Sequence, residues 1–476
     1  MQQNNFKNDT IIALATSLGV GAIAVIRLSG KDAINMVDRF FKSKFNSKKL
    51  TAVKTHTIHL GNIMDGKRIV DEVLVSVFKN PNSYTGENVV EISCHGSVYI
   101  QQEILQLFLK NGVRHADAGE FTLRAFMHGK MDLSQAEAVA DLIASDSKAS
   151  HQIAMQQMRG GFSTEIENLR EQLLNFASLI ELELDFSEED VAFADRKQLE
   201  VLILKMTQLL KRLIDSFAVG NVLKNGIPVV IIGKPNVGKS TLLNTLLNEE
   251  KAIVSEIAGT TRDAIEDEII IQGVAYRFID TAGIRDTHDV VESIGIQKTF
   301  EKIEQAQLVI LLVDARAFIN NSDSYLQERN ELQKKHPNKT FLTLLNKSDL
   351  LTSQEIVEFK AKHTNLFDPK NQTTLLFLSA RNNTGVDTLI QTLVQLSNVG
   401  ALSNNETIVS NSRHFEALNN ALNAISEVQK AINNNVSSDL FAIDIRETLH
   451  HLGLITGAIT TDDLLGNIFA NFCIGK

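Results

Sequence analysis

Gly233-Lys-Pro-Asn-Val-Gly-Lys-Ser240 reads G-x-x-x-x-G-K-S, the signature of a phosphate-binding loop. The apolar, β-branched run Ile227–Ile232 before it has the character of a buried strand. Ser240–Asn248 after it has helical apolar spacing. A glycine-rich turn between strand and helix aims backbone N–H groups and the positive helix end at an anion. Lys239 then reaches the outer phosphates and the Ser240 hydroxyl ligates Mg²⁺. The expected contacts along this loop are Asn236, Val237, Gly238, Lys239, Ser240 and Thr241.

Working outward, four further elements follow in order, each placed next to a strand-like run. Ser255, Glu256, Ile257, Ala258, Gly259, Thr260 and Thr261 form a loop in which Thr261 offers a second hydroxyl to Mg²⁺. Asp280, Thr281, Ala282 and Gly283 fit D-x-x-G, with the Asp near the metal and the Gly N–H at the γ-phosphate. Asn346, Lys347 and Asp349 fit N-K-x-D, whose Asp accepts from two adjacent guanine N–H groups that adenine lacks. Ser379 and Ala380 fit the loop that donates a backbone N–H to the guanine oxygen. The set predicts GTP as the nucleotide. Ile284 follows the D-x-x-G element where Ras-type enzymes carry a water-orienting glutamine. An isoleucine cannot orient water, and no built-in arginine finger is evident, so another group must neutralise the transition state.

The 476 residues suggest about three domains. No apolar run approaches the ~18 residues of a membrane span, the N-terminus carries no signal-peptide pattern, and two cysteines cannot build a disulfide framework. A cytoplasmic protein that does not engage the membrane is the expectation. The net charge of −10 argues against broad attraction to nucleic acid but leaves room for a local basic patch. Lys42, Lys44, Lys48 and Lys49 cluster in one segment and read as a solvated loop. With no tryptophan and four tyrosines, a base-stacking surface would have to use phenylalanine.

Residues 1–125 mix strand-like runs (Ile11–Ala15, Ala22–Leu28, Ile69–Phe78, Asn88–Ser93) with helical Lys31–Phe41 and Tyr99–Asn111, an α+β domain. Residues 126–220 are helical. A capping box of Ser134 and Glu137 opens the stretch, Arg159-Gly-Gly161 breaks it, and Thr164 with Glu167 restarts it. Residues 221–398 alternate strand and helix, and helices return in 399–476. The expected fold is therefore multidomain, with an all-α domain into which an α/β P-loop domain of Ras-like type is inserted.

The whole chain resembles the MnmE or TrmE family of tRNA-modification GTPases. The resemblance rests on Val25-Ile-Arg-Leu-Ser-Gly30, Ser83-Tyr-Thr-Gly-Glu87, Cys94-His-Gly96, Gly119-Glu-Phe-Thr-Leu-Arg-Ala-Phe126 with Lys130, and the terminal Cys473-Ile-Gly-Lys476. Ser97 departs from the second glycine that members often carry there. The resemblance implies a tetrahydrofolate-binding-like N-terminal domain that forms a homodimer. It implies 5-formyl-tetrahydrofolate as one-carbon donor, bound through Arg27, Glu87, Lys130 and Lys476. It also implies an FAD-containing MnmG-like partner in a heterotetramer, and tRNA as substrate, modified at C5 of the wobble uridine. For catalysis it implies a K⁺ ion in place of an arginine finger, held by Asn236, Ser255, Ile257 and Thr260. Glu292 is implied as the acid that orients the attacking water.

Each of these residues has a plainer reading. Asn236 also suits turn geometry, Glu292 a solvated acidic loop, and Arg27 and Lys130 surface ion pairs. Cys473 fits a reactive thiol or a packed one. Cys94 reads as core, and His95 as structural. The competing functions are a switch GTPase of the ribosome-assembly kind without modifying chemistry, and a folate-binding scaffold with vestigial GTPase activity.

Overall fold

The computed structural model describes residues 9–45, 49–185, 196–247, 252–254, 267–279, 300–364, 375–396, 407–434, 436, 438–470 and 472–475. They fall into two compact units. One gathers Met1–Ile143, Gln157–Leu202 and Glu427–Lys476; the other gathers Ala144–Gln156 and Ile203–Ser426.

The first unit is built on a seven-stranded sheet of order β3-β4-β5-β6-β2-β1-β7. Its strands are β1 (Ile11–Leu14), β2 (Ile23–Ser29), β3 (Phe41–Ser43), β4 (Thr57–Asp65), β5 (Arg68–Phe78), β6 (Val89–His95) and β7 (Arg114–His115). All described pairings are antiparallel except β1 with β7. Period-two alternation sends Val73, Val75 and Val77 of β5 and Val90, Ile92 and Cys94 of β6 to one face. Helices α1 (Ala33–Phe40) and α2 (Val98–Lys110) cover that face with Val37, Ile104 and Phe108. Strand β1 is buried on both sides, because Ile11 and Ala13 meet Ala116 and Phe121 across the sheet. The lysine segment read as a loop is partly strand: β3 carries Lys42 and pairs with β4. The extended backbone needs a partner, and β4 offers an open edge.

Helix α3 (Glu120–Met127) leads to α4 (Leu133–Ala144). The expected Ser134/Glu137 cap is displaced by two residues. Asp132 Oδ1 accepts from Gln135 N at 2.8 Å, and Gln135 Oε1 accepts from Asp132 N at 3.0 Å. Ser134 is instead buried, accepting from Gln157 Nε2 at 2.9 Å through its carbonyl. After α5 (Lys148–Met158), Gly160 turns the chain at φ +77° and α6 (Gly161–Asp185) begins at once. Thr164 is therefore not a cap; it lies inside α6 and its hydroxyl donates to the Gly160 carbonyl at 2.9 Å. Helix α4 packs with Leu465, Phe469 and Phe472 of the C-terminal segment.

The second unit carries the other seven-stranded sheet, of order β14-β13-β12-β8-β11-β10-β9. Helix α7 (Arg196–Asn225) leads into β8 (Ile227–Ile232) and α8 (Lys239–Leu247). Next come β9 (Ala252–Val254), β10 (Asp267–Ile271), β11 (Val274–Phe278), β12 (Leu308–Asp314), α9 (Ala315–Asn320), α10 (Ser322–Lys335), β13 (Thr340–Asn346) and α11 (Ser353–Lys362). Strand β14 (Leu375–Phe377) and α12 (Val386–Leu396) complete the sheet layer. Strands β14, β13, β12, β8 and β11 run parallel. Leu308–Val313 is buried throughout, as a central parallel strand covered on both faces requires. One apolar layer holds Leu242, Leu312 and Leu389; the other holds Val309, Phe318 and Phe359.

Candidate functional site

The first site is built where parallel strands end. Strand β8 runs into the Gly233–Ser240 loop. A Cβ on Gly233 would lie 2.3 Å from the Leu312 carbonyl oxygen, so no side chain fits between loop and sheet. Asn236 at φ +61° and Gly238 at φ +100° adopt left-handed backbone. Such residues curl a loop into the concave run of N–H groups that binds phosphate. Val237 between them is buried in the core and anchors the curl. Lys239 Nζ donates to the carbonyls of Gly233 at 2.8 Å and Lys234 at 3.0 Å. Burial and the nearby Lys302 charge lower the Lys239 pKa. A phosphate there would offset both penalties, so the residues present fit an anionic group.

The guanine-side elements converge on one side chain. Asn346, at the end of β13, is 3% exposed. Its Nδ2 donates to the Val237 carbonyl at 2.8 Å, and its Oδ1 accepts from Ala380 N at 3.0 Å. It thus ties the phosphate loop to the Ser379–Ala380 loop. The Thr245 hydroxyl of α8 holds the same loop through the Ala380 carbonyl at 2.8 Å. Ser379 Oγ donates to Asp349 Oδ1 at 2.6 Å, which orients the carboxylate. Lys347 sits at φ +61° with Nζ 3.1 Å from Asp314 Oδ2. Burial works against charge on Asp314, but the Lys347 bond and the N–H groups at the start of α9 outweigh it and hold the pKa low.

Of the predicted contacts, Asn236 to Thr241, Asn346, Lys347, Asp349, Ser379 and Ala380 therefore belong to neighbouring strand ends. Ser255 to Thr261, Asp280 to Gly283, Ile284, Glu292 and Lys476 lie outside the described residues. A cavity of about 1030 Å³ opens beside the loop, lined by Lys234, Lys239, Asp314, Arg316, Tyr325 and Lys347 among others. Ser240, Asp349 and Ser379 do not line it, so it is not itself the base pocket.

The second site lies in the first unit. Arg124 of α3 is almost fully buried and spans three carboxylates. It donates to Glu87 at 3.1 Å, Asp9 at 2.9 Å and Glu120 at 2.8 Å. Arg114 adds bonds to Glu120 at 2.5 Å and Asp9 at 2.6 Å. Glu87 also accepts from the Ser29 hydroxyl at 2.7 Å. Arg27 pairs with Glu91 at 2.8 Å and lies over the rings of Tyr84 and Phe121 at 5.3 and 5.6 Å. Its Nη1 is 3.5 Å from the Gly475 carbonyl oxygen. Lys130 is exposed, with its stem alongside Gly86. Arg27 and Glu87 are thus held by protein partners, and Lys130 projects beside them.

The sequence reading did not single out Arg124, Glu120, Arg114 or Asp9. The i,i+4 spacing of Glu120 and Arg124 was the available signal. Cys473 is exposed, which corrects the packed-thiol alternative: the C-terminal helix Asp462–Ala470 ends before it. Its carbonyl instead accepts from Gly119 N at 3.4 Å, and Ile474 bridges Ala118. Cys94 is core, as expected, and burial followed by the Asp71 charge pushes its thiol up to about 11. His95 is pinned through Nδ1 to Asp71 at 2.7 Å.

Two family profiles and several curated relatives match the chain. A family profile described as the GTP-binding protein TrmE N-terminus matches residues 10–130, and one described as the MnmE helical domain matches residues 133–473. The tRNA modification GTPase MnmE of Christiangramia forsetii is 62% identical over 472 residues, covering 98% of this chain and 99% of that protein. Its counterpart in Flavobacterium johnsoniae is 62% identical over 468 residues with the same coverage. That of Bacteroides thetaiotaomicron is 50% identical over 469 residues, again covering 98% and 99%.

Two outcomes are expected. Asn346→Ala removes both bonds that join the phosphate and base loops, so GDP should bind about tenfold or more weakly in a fluorescent-nucleotide titration; an unchanged Kd would reject the bridging role. Asp9 and Glu120 have folded pKa values below their ordinary 3.8 and 4.5, because their bonds to Arg114 and Arg124 outweigh burial. Their stabilisation is present above the unfolded values and is lost as pH falls through the depressed folded ones. Urea midpoints of the first unit should drop from about pH 5 to about pH 3, and less steeply in Glu120→Gln. Equal slopes in the two proteins would count against the network.

Proposed function

This chain belongs to the MnmE, or TrmE, family of tRNA modification GTPases, and on that premise we propose how its parts divide the work. It is a GTP hydrolase of a tRNA-modifying family. The finer reading is a K⁺-dependent GTPase that acts in the cytoplasm with an FAD-binding MnmG-like partner. Together they would modify C5 of the wobble uridine using the one-carbon unit of 5-formyl-tetrahydrofolate. The chain would work as a homodimer through its N-terminal domain, in a heterotetramer with the partner.

The observation that carries this reading is the seating of the C-terminal segment on the N-terminal sheet. A Cβ on Gly475 would lie 2.1 Å from the Leu14 carbonyl oxygen, so only glycine allows the approach. Arg27 reaches the Gly475 carbonyl, and Cys473, two residues earlier, is exposed. An exposed thiol, a cation and the Glu87 carboxylate share one unit. A folate asks for two of these kinds of group: a carboxylate for its pterin and cations for its glutamate tail. Glu87 and Arg27 are already oriented by Arg124 and Glu91, which supports a preformed site. Lys130 and Lys476 are the further cations of this reading.

In the nucleotide domain, Lys239 would hold the outer phosphates, while Ser240 and Thr261 would ligate Mg²⁺. Asp349 would select guanine, oriented by Ser379. Asn236, Ser255, Ile257 and Thr260 would hold K⁺, which when bound supplies positive charge where the leaving oxygen becomes negative. Glu292 would position water in place of the missing glutamine at Ile284. The helical match spanning 133–473 brackets the α/β segment, which supports an α/β domain inserted within 126–220 and 399–476.

Mass analysis of tRNA nucleosides from cells lacking this protein tests the assignment. Loss of the C5 modification is expected; an unaltered nucleoside profile would favour a switch GTPase of another process. GTP turnover measured in K⁺ and in Na⁺ should be markedly faster in K⁺. Equal rates would remove the potassium site.

A further inference from the structure

The chain carries a net charge of −10, yet between Asp38 and Asp65 it has six basic residues and no acid. Within this segment lie the sheet edge β3 and the 3-10 turn Leu50–Ala52. Lys42 lies on the edge strand, Lys49 precedes the turn and Lys54 follows it, and all three are exposed. Lys79 joins them from the end of β5: its Nζ donates to the Thr51 carbonyl at 3.0 Å, and its N donates to Thr55 Oγ1 at 2.9 Å. The Asp38 carboxylate accepts from Leu50 N at 2.5 Å, and Glu72 pairs with Lys44 at 2.6 Å. Lys42, Lys49, Lys54 and Lys79 have no carboxylate partner among the described residues. A second observation points the same way. Phe45 is 78% exposed, and among the described residues it is the one phenylalanine that is exposed. An apolar ring left in water within a basic stretch is the combination that stacks an unpaired base while ammonium groups track its phosphates.

We propose that the β3–Thr51 edge is an RNA-binding surface, taking a single-stranded loop of the tRNA substrate with Phe45 against a base and Lys42, Lys49, Lys54 and Lys79 on phosphates. The proposal rests on the functional reading for the identity of the RNA. Lysines on an edge strand also guard against strand addition, and Lys42 alone would suit that role. Lys49, Lys54 and Lys79 lie off the strand, where no ladder needs guarding.

The test uses the full-length protein and an unmodified tRNA transcript, with anisotropy titrations from about 50 to about 300 mM salt. The Lys49→Gln/Lys54→Gln/Lys79→Gln variant should bind about tenfold or more weakly, and the slope of log K against log salt should shrink by about two. Phe45→Ala should weaken binding about tenfold at every salt concentration with the slope unchanged. Both variants should retain wild-type GTP turnover, which shows that they are folded. Wild-type binding together with unaltered affinity and slope in both variants would overturn the surface and leave the functional reading standing. Self-association of the lysine variant with unaltered tRNA affinity would assign the lysines to edge protection instead. A wild-type protein that binds no tRNA would overturn both readings.

Discussion

Asn346 joins two loops through its side-chain amide. Its amide satisfies the Val237 carbonyl on one side and the Ala380 N–H on the other, in a site that is nearly dry. A buried amide must meet such partners or forfeit their hydration. The phosphate loop and the base loop are therefore held in register by the side chain that closes β13. A Cβ on Gly238 would lie 2.3 Å from Asn346 Nδ2, so the glycine of the phosphate motif is also what lets the asparagine approach. Everything proposed of Lys239, Asp349 and Ser379 depends on that registration, because groups on three separate strand ends must address one nucleotide.

The N-terminal unit solves a different problem with the same logic. Its site concentrates carboxylates around two arginines, one of them almost without solvent. Burying Arg124 is tolerable because each of its three guanidinium nitrogens donates to an acceptor. The network fixes Glu87 before any ligand arrives, and Glu91 does the same for Arg27. Preorganised charges of this kind favour binding by lowering the cost of ordering them later. The C-terminal Cys-Ile-Gly segment is drawn in by backbone contacts that only Gly475 permits.

Several elements were legible because their patterns are local. Ile227–Ile232 and Leu308–Val313 announce themselves as buried parallel strands by unbroken apolar runs. Strand β4 is not legible in the sequence, since Thr57–Asp65 interleaves Thr, His, Gly and Asn with its apolar residues and takes its extended state from β3 and β5. The α4 cap was misplaced because Ser134/Glu137 satisfies the motif as well as Asp132/Gln135 does. Burial of Ser134 against Gln157 chose between them.

From the sequence alone came the nucleotide class, the order of the guanine-binding elements and the resemblance at both ends of the chain. Those are properties of spacing, and spacing survives without coordinates. Tertiary structure decided that Asn346 is the bridge, that Arg124 is the buried partner of Glu87, and that Cys473 faces solvent. It also showed that Phe45 stands exposed within the basic segment. The physical reason is the same throughout. Residue type sets which bonds a group can make, but burial and the arrival of distant partners set which of them it makes.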